Sequence, residues 1–123
     1  MTKKILIVDD EEDILTSVKM LIEGTGYSAK VVSNGMDALK MLNKESFDLV
    51  LLDIMMPQMS GREVLEKIRA DSKLKTQKVA FMTAVQLGSE GLSTVKRLKV
   101  VDYFQKPIID LDDFKRRLKK ILK

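Results

Sequence analysis

Five positions carry side chains that could do chemistry together: Asp9 and Asp10, Asp53, Thr83 and Lys106. Glu11, Glu12 and Asp13 extend the first acidic pair. Carboxylates brought within a few ångströms repel one another, so each destabilises a fold unless a cation intervenes. A hard, all-oxygen ligand set without imidazole or thiolate suits Mg²⁺, which keeps several waters and binds through one or two carboxylates. A lysine and a hydroxyl beside that metal would complete a pocket for an anionic group. A carboxylate, a metal, a cation and a hydroxyl are the parts phosphoryl transfer needs, because its catalysis rests on positioning and charge neutralisation. Taken singly, each residue has an ordinary explanation: acidic residues favour helix N-termini, Asp53 could be a helix cap, Thr83 a strand-end residue and Lys106-Pro107 a turn. Their joint placement decides between these readings.

That placement follows from the elements between them. Ile5-Leu6-Ile7-Val8, Leu49-Val50-Leu51-Leu52 and Val79-Ala80-Phe81-Met82 are near-continuous apolar runs, the pattern of strands covered on both faces. Val100, Val101, Tyr103 and Phe104 form a less uniform, edge-like run, and a weaker strand over Ser28 to Val32 follows Gly24-Thr25-Gly26. Helical spacing separates these runs. Ile14, Leu15, Val18, Leu21 and Ile22 make one apolar stripe. A short helix over Met36 to Leu42 follows Asn34 as N-cap, and Ser60 with Glu63 has capping-box spacing ahead of Val64, Leu65 and Ile68. A fourth helix, from about Gly88 to Leu98, is weakened by Gly91, Ser93 and Thr94. A last helix starts near Asp110 and is expected to bury Leu111, Phe114, Leu118, Ile121 and Leu122.

Strands alternating with helices imply an α/β domain, a parallel sheet with helices on both faces. Ligands in such sheets sit beyond the carboxyl ends of the strands, and all five reactive positions fall there. The chain of 123 residues shows no linker or repeat, so residues 1–123 are expected to form one domain. With no Cys, a disulfide scaffold and a thiolate site are excluded; with no His, so are imidazole catalysis and a phosphohistidine on this chain. No apolar stretch is long enough to span a membrane, and no leader opens the chain, so the sequence points to the cytoplasm. The formal net charge of +4 is uneven: residues 115–123 hold six Lys or Arg, and removing them leaves −2 for residues 1–114.

The motifs Ile5-Leu6-Ile7-Val8-Asp9-Asp10-Glu11, Asp53-Ile54-Met55-Met56-Pro57 with Met59 and Gly61, Thr83-Ala84, and Asp102-Tyr103 with Lys106-Pro107 span the whole chain. With them the chain resembles a response-regulator receiver domain of two-component signalling, of the chemotaxis-regulator type. The resemblance implies a flavodoxin-like, doubly wound sheet of five strands in the order 2-1-3-4-5 with five helices. It implies that Asp53 is the phosphoacceptor, a phosphoprotein site fed in a phosphorelay by a sensor histidine kinase or phosphotransfer protein. Mg²⁺ would be bound by Asp10 directly, by Asp9 through water, by Asp53, and by the backbone carbonyl of Met55. Thr83 would bond a phosphoryl oxygen and Lys106 would pair with it, across a cis Lys106–Pro107 bond. Thr83 and Tyr103 would form the switch, read by an effector protein or output domain on the fourth helix, fifth strand and last helix.

Such a protein is a signalling switch rather than an enzyme, although it assists its own phosphorylation and dephosphorylation. It is expected to be a monomer, with a phosphorylation-dependent dimer as the alternative. Lys99-Val100 depart from the Gly-Ala common in the family before the last strand, and Val101 replaces a residue that is often acidic. Two other functions remain open on the residues alone. A Mg²⁺-dependent aspartyl-phosphate phosphatase would want a second Asp at Met55. A nucleic-acid binder would act through the basic C-terminal helix, whose cations alternate with Leu118, Ile121 and Leu122 and so also fit a solvated helix face, making direct nucleic-acid contact the weaker reading.

Overall fold

The computed structural model describes residues 2–123. Five strands, β1 (Lys4–Val8), β2 (Ser28–Val32), β3 (Leu49–Asp53), β4 (Val79–Thr83) and β5 (Asp102–Gln105), alternate with five helices. The helices are α1 (Glu12–Gly24), α2 (Gly35–Lys44), α3 (Gly61–Ala70), α4 (Ser89–Arg97) and α5 (Leu111–Ile121). All strand pairs are parallel and the sheet order is β2-β1-β3-β4-β5, the flavodoxin-like arrangement the resemblance implies.

The continuous apolar runs are explained by two cores. Ile5 and Ile7, Leu49 and Leu51, and Ala80 and Met82 face α1 and α5. Leu6 and Val8, Val50 and Leu52, and Val79 and Phe81 face α2, α3 and the α4–β5 region. Alternation by one residue therefore sends every side chain of a central strand into one core or the other. The edge strands β2 and β5 are partly exposed, as their weaker runs predict.

Asn34 caps α2 by accepting from the Asp37 N–H at 2.8 Å. Ser60 caps α3 by accepting from the Glu63 N–H at 3.2 Å, and Asp110 caps α5 through Asp113 N–H at 2.9 Å. Two expectations shift. The fifth strand begins at Asp102, with buried Val100 packed ahead of it into the core shared with α2 and α3. Leu111 is not buried but 43% exposed. It is the first residue of α5, and although it lies on the stripe of Phe114 and Leu118, it borders an open cleft with Ile14, Val18 and Ile108 instead of a strand.

Candidate functional site

The register explains why the acidic residues meet. Val8 pairs with Leu52 and Asp53 with Met82, so the residues that end β1 and β3 emerge side by side at one rim. Oxygens of Asp9, Asp10 and Asp53 lie within 4.8 Å of one another, an arrangement that could hold a metal ion. Asp9 and Asp53 are buried, and Asp10 is exposed.

Lys106 reaches the same point from the end of β5. Its Nζ donates to Asp9 Oδ2 at 2.9 Å and to Glu11 Oε1 at 3.2 Å, and it stands 3.4 Å from Asp53 Oδ1. The intervening cation that the carboxylates require is thus a side chain of the protein itself. Asp53 Oδ1 also accepts from the Met55 N–H at 3.2 Å. Asp53 Oδ2, by contrast, is buried without any hydrogen-bond partner. A buried carboxylate oxygen left unpaired is costly, and it marks the point where a cation or a new bond would relieve the fold.

Titration follows from this geometry. Burial, and next the charge of Asp9, push the Asp53 carboxyl from its ordinary 3.8 up to about 7, with Lys106 and the Met55 N–H pulling the other way. Burial would lower Lys106, but the hydrogen bond to Asp9, the charges of Asp53 and Asp9, and the bond to Glu11 outweigh it and raise the ammonium above the usual lysine value. Lysine therefore stays charged while its acidic neighbour is poised to change state.

Thr83 is buried at the end of β4. Its hydroxyl donates to the Val85 carbonyl at 2.8 Å and accepts the Val85 N–H at 3.2 Å, so it is committed to its own loop. Tyr103 is 41% exposed and stands on the outer strand beside Phe104, which is buried against Phe114. The Lys106–Pro107 peptide is cis, as the resemblance implies. Gly61 is required by close approach: a Cβ there would fall 2.1 Å from the Asp53 carbonyl oxygen. The Gly61 N–H donates to the Ile54 carbonyl at 2.9 Å, pinning the start of α3 to the loop after Asp53.

Sequence reasoning passed over two participants. Glu11, in sequence one member of an acidic run and the end of the first motif, is a direct partner of Lys106. Arg69 was not singled out at all. Its guanidinium donates to the carbonyls of Leu98, Lys75, Gln77 and Lys99 at 2.7–3.3 Å, tying α3 to the segments before β4 and before β5. No local signal could have found it, since its partners are up to 30 residues away. Lys99, at the position where the family favours glycine, takes the left-handed conformation with φ 56°.

Residues 5–119 match the family model of the response regulator receiver domain. The chain is 36% identical over 120 residues to the transcriptional regulatory protein CrdR of Helicobacter pylori, covering 98% of this chain and 55% of that protein. It thus spans about half the length of that relative. It is 35% identical over 123 residues to sporulation initiation phosphotransferase F of Bacillus subtilis, covering 99% of this chain and 95% of that protein. The chemotaxis protein CheY4 of Vibrio cholerae superposes with a TM-score of 0.90 at 25% identity, covering 99% of this chain and 100% of that one.

Proposed function

The chain belongs to the response regulator receiver domain family, and from that membership we propose that it is a phosphoacceptor switch in which Asp53 takes a phosphoryl group from a histidine kinase or phosphotransfer protein. The observation that carries this reading is Asp53 Oδ2, buried and unpartnered, on a carboxylate grouped with those of Asp9 and Asp10 whose other oxygen stands 3.4 Å from the Lys106 ammonium. An Asp53 oxygen would attack phosphorus, and the phosphorus–nitrogen bond of the donor imidazole would break with its electron pair leaving on nitrogen. The product is an acylphosphate on a carboxylate whose burial disfavours its free charge.

The carboxylates of Asp9, Asp10 and Asp53, with the Met55 carbonyl, would hold Mg²⁺; the hard oxygen set and the unpaired Asp53 oxygen fit that ion. Bound there, Mg²⁺ would neutralise charge shared between the acceptor and the incoming phosphoryl group. Lys106, 3.4 Å from Asp53 Oδ1, would supply a second positive charge. Thr83 would exchange its bond to Val85 for one to a phosphoryl oxygen, and the space it vacates beside β5 would let Tyr103 reorient. The altered face of α4, β5 and α5 is what an effector or output domain would read. The domain would act as a switch; among the described residues no helix is long and apolar enough to cross a membrane.

Direct nucleic-acid binding by α5 remains the weaker reading, because two of its cations are committed within the domain. Arg117 is spent on Asp102, Asp113 and the Tyr103 carbonyl, and Arg116 on Asp113. The proposed function is tested with acetyl phosphate and Mg²⁺. One hydroxylamine-labile phosphoryl group should appear per chain, and Asp53→Asn should abolish it. Full labelling of the Asn variant would refute Asp53 as acceptor.

A further inference from the structure

Lys106 has three carboxylates around its ammonium, but it does not treat them alike. It donates to Asp9 and to Glu11, and meets Asp53 only at 3.4 Å, on the oxygen that already accepts from Met55. The free oxygen, Asp53 Oδ2, receives nothing. Glu11 is held for this contact. Its N–H donates to Asp9 Oδ1 at 2.9 Å and its carbonyl accepts from Leu15 N–H at 3.1 Å.

Glu11 is also the N-cap of α1, yet its side chain makes no capping bond. Short polar side chains at that position stabilise a helix by accepting from its first free N–H groups, a role the longer glutamate does not take here. Here the carboxylate turns from the helix to the lysine, while its own side chain remains 60% exposed.

We propose that Glu11 is a positioning residue that parks the Lys106 ammonium between itself and Asp9, away from the free oxygen of Asp53, and thereby limits how readily the site accepts an anionic phosphoryl donor. The inference rests on Asp53 being the phosphoacceptor. Two effects act in one direction. Glu11 competes with the incoming group for the ammonium, and its exposed charge repels an anionic donor at the mouth of the site. With acetyl phosphate, the phosphoryl group passes to Asp53 and acetate leaves with the electron pair of the broken phosphorus–oxygen bond. The lysine must turn toward that charge for the step to proceed.

The test compares wild type, Glu11→Gln and Glu11→Asp at saturating Mg²⁺. Gln keeps the length and removes the charge; Asp keeps the charge but is too short for the contact. The apparent second-order constant for dianionic acetyl phosphate should rise roughly threefold or more in Glu11→Gln at low ionic strength. The rise should be smaller with monoanionic phosphoramidate and should shrink in salt. A readout independent of turnover is the Lys106 ζ-ammonium resonance of the metal-free protein, which should shift and exchange faster in both variants. If wild type is labelled but Glu11→Gln matches it in rate and in Lys106 signal, the inference is overturned alone. A wild type that takes no label overturns the phosphoacceptor reading and the inference together.

Discussion

Helices α3 and α4 follow neighbouring strands and lie on the same face of the sheet, yet they are attached in opposite ways. Helix α3, behind the Asp53 strand, is capped by Ser60 and buries Gly61, Val64, Leu65 and Ile68. Helix α4, behind the Thr83 strand, has no side-chain cap and buries only Thr94. Its apolar attachment is limited to half-buried Val95 and the buried C-cap residue Leu98, and its remaining contacts are polar and peripheral. Across to α3, Arg62 pairs with Glu90 at 3.3 Å and Arg97 reaches Glu66 at 3.6 Å. Exposed ion pairs contribute at most about 1 kcal/mol each, whereas a buried Ile or Leu contributes several times that. The Asp53 side is therefore fixed by packing, and the side proposed to respond is more loosely held, as a part that shifts between states should be.

The two helices each carry a glycine, and the same substitution should have opposite outcomes. Gly61→Ala drives a Cβ to 2.1 Å from the Asp53 carbonyl and 2.8 Å from Ile54 Cα. It should cost more than about 3 kcal/mol, from backbone strain that nothing flexible can absorb. Gly91→Ala meets only the Leu87 side chain, at 3.1 Å, and should stabilise α4 by up to about 1 kcal/mol through helix propensity. Urea unfolding of both variants checks the contrast; a mild Gly61→Ala would break it.

Ile68→Ala should lose about 2–5 kcal/mol, against less than about 1 kcal/mol for Thr94→Ala, whose hydroxyl bonds only the Glu90 carbonyl within the same helix. Equal losses would mean that α4 is packed as firmly as α3.

The packed side also carries an electrostatic burden. Because Asp53 is raised from 3.8 to about 7, the folded protein retains between those values a proton that the unfolded chain has released. Metal-free stability should therefore fall as pH rises from about 4 to 7 and be unaffected by Asp53 above that window. Asp53→Asn should remove the slope and stabilise the metal-free protein at pH 8 by at least about 1.4 kcal/mol. Thermal melts across pH measure both.

At the far end of α4, Lys99→Gly should relieve the left-handed backbone and stabilise by about 0.5–1 kcal/mol, part of the gain being lost to the greater freedom of unfolded glycine. The smallest effect expected is that of Glu90→Gln, below about 0.5 kcal/mol and vanishing in salt. A larger loss would make the ion pairs, rather than their weakness, the determinant of α4.

Much of this was legible along the chain because it is local or periodic. The apolar runs named the strands since central strands must be apolar on both faces, and Asn34, Ser60 and Asp110 named helix starts because a cap bonds only three residues ahead. Asp9, Asp10, Asp53, Thr83 and Lys106 could be assembled from sequence because a parallel sheet brings its strand ends to one rim. What the tertiary structure decided is how those groups divide their partners. That Lys106 donates to Asp9 and Glu11 while one oxygen of Asp53 stays bare depends on ångström-scale distances between β1, β3 and β5, which no spacing encodes. The exposure of Leu111 and the four-carbonyl grip of Arg69 have the same origin. Periodicity tells which face a side chain takes, but only the packed fold determines whether anything lies opposite it.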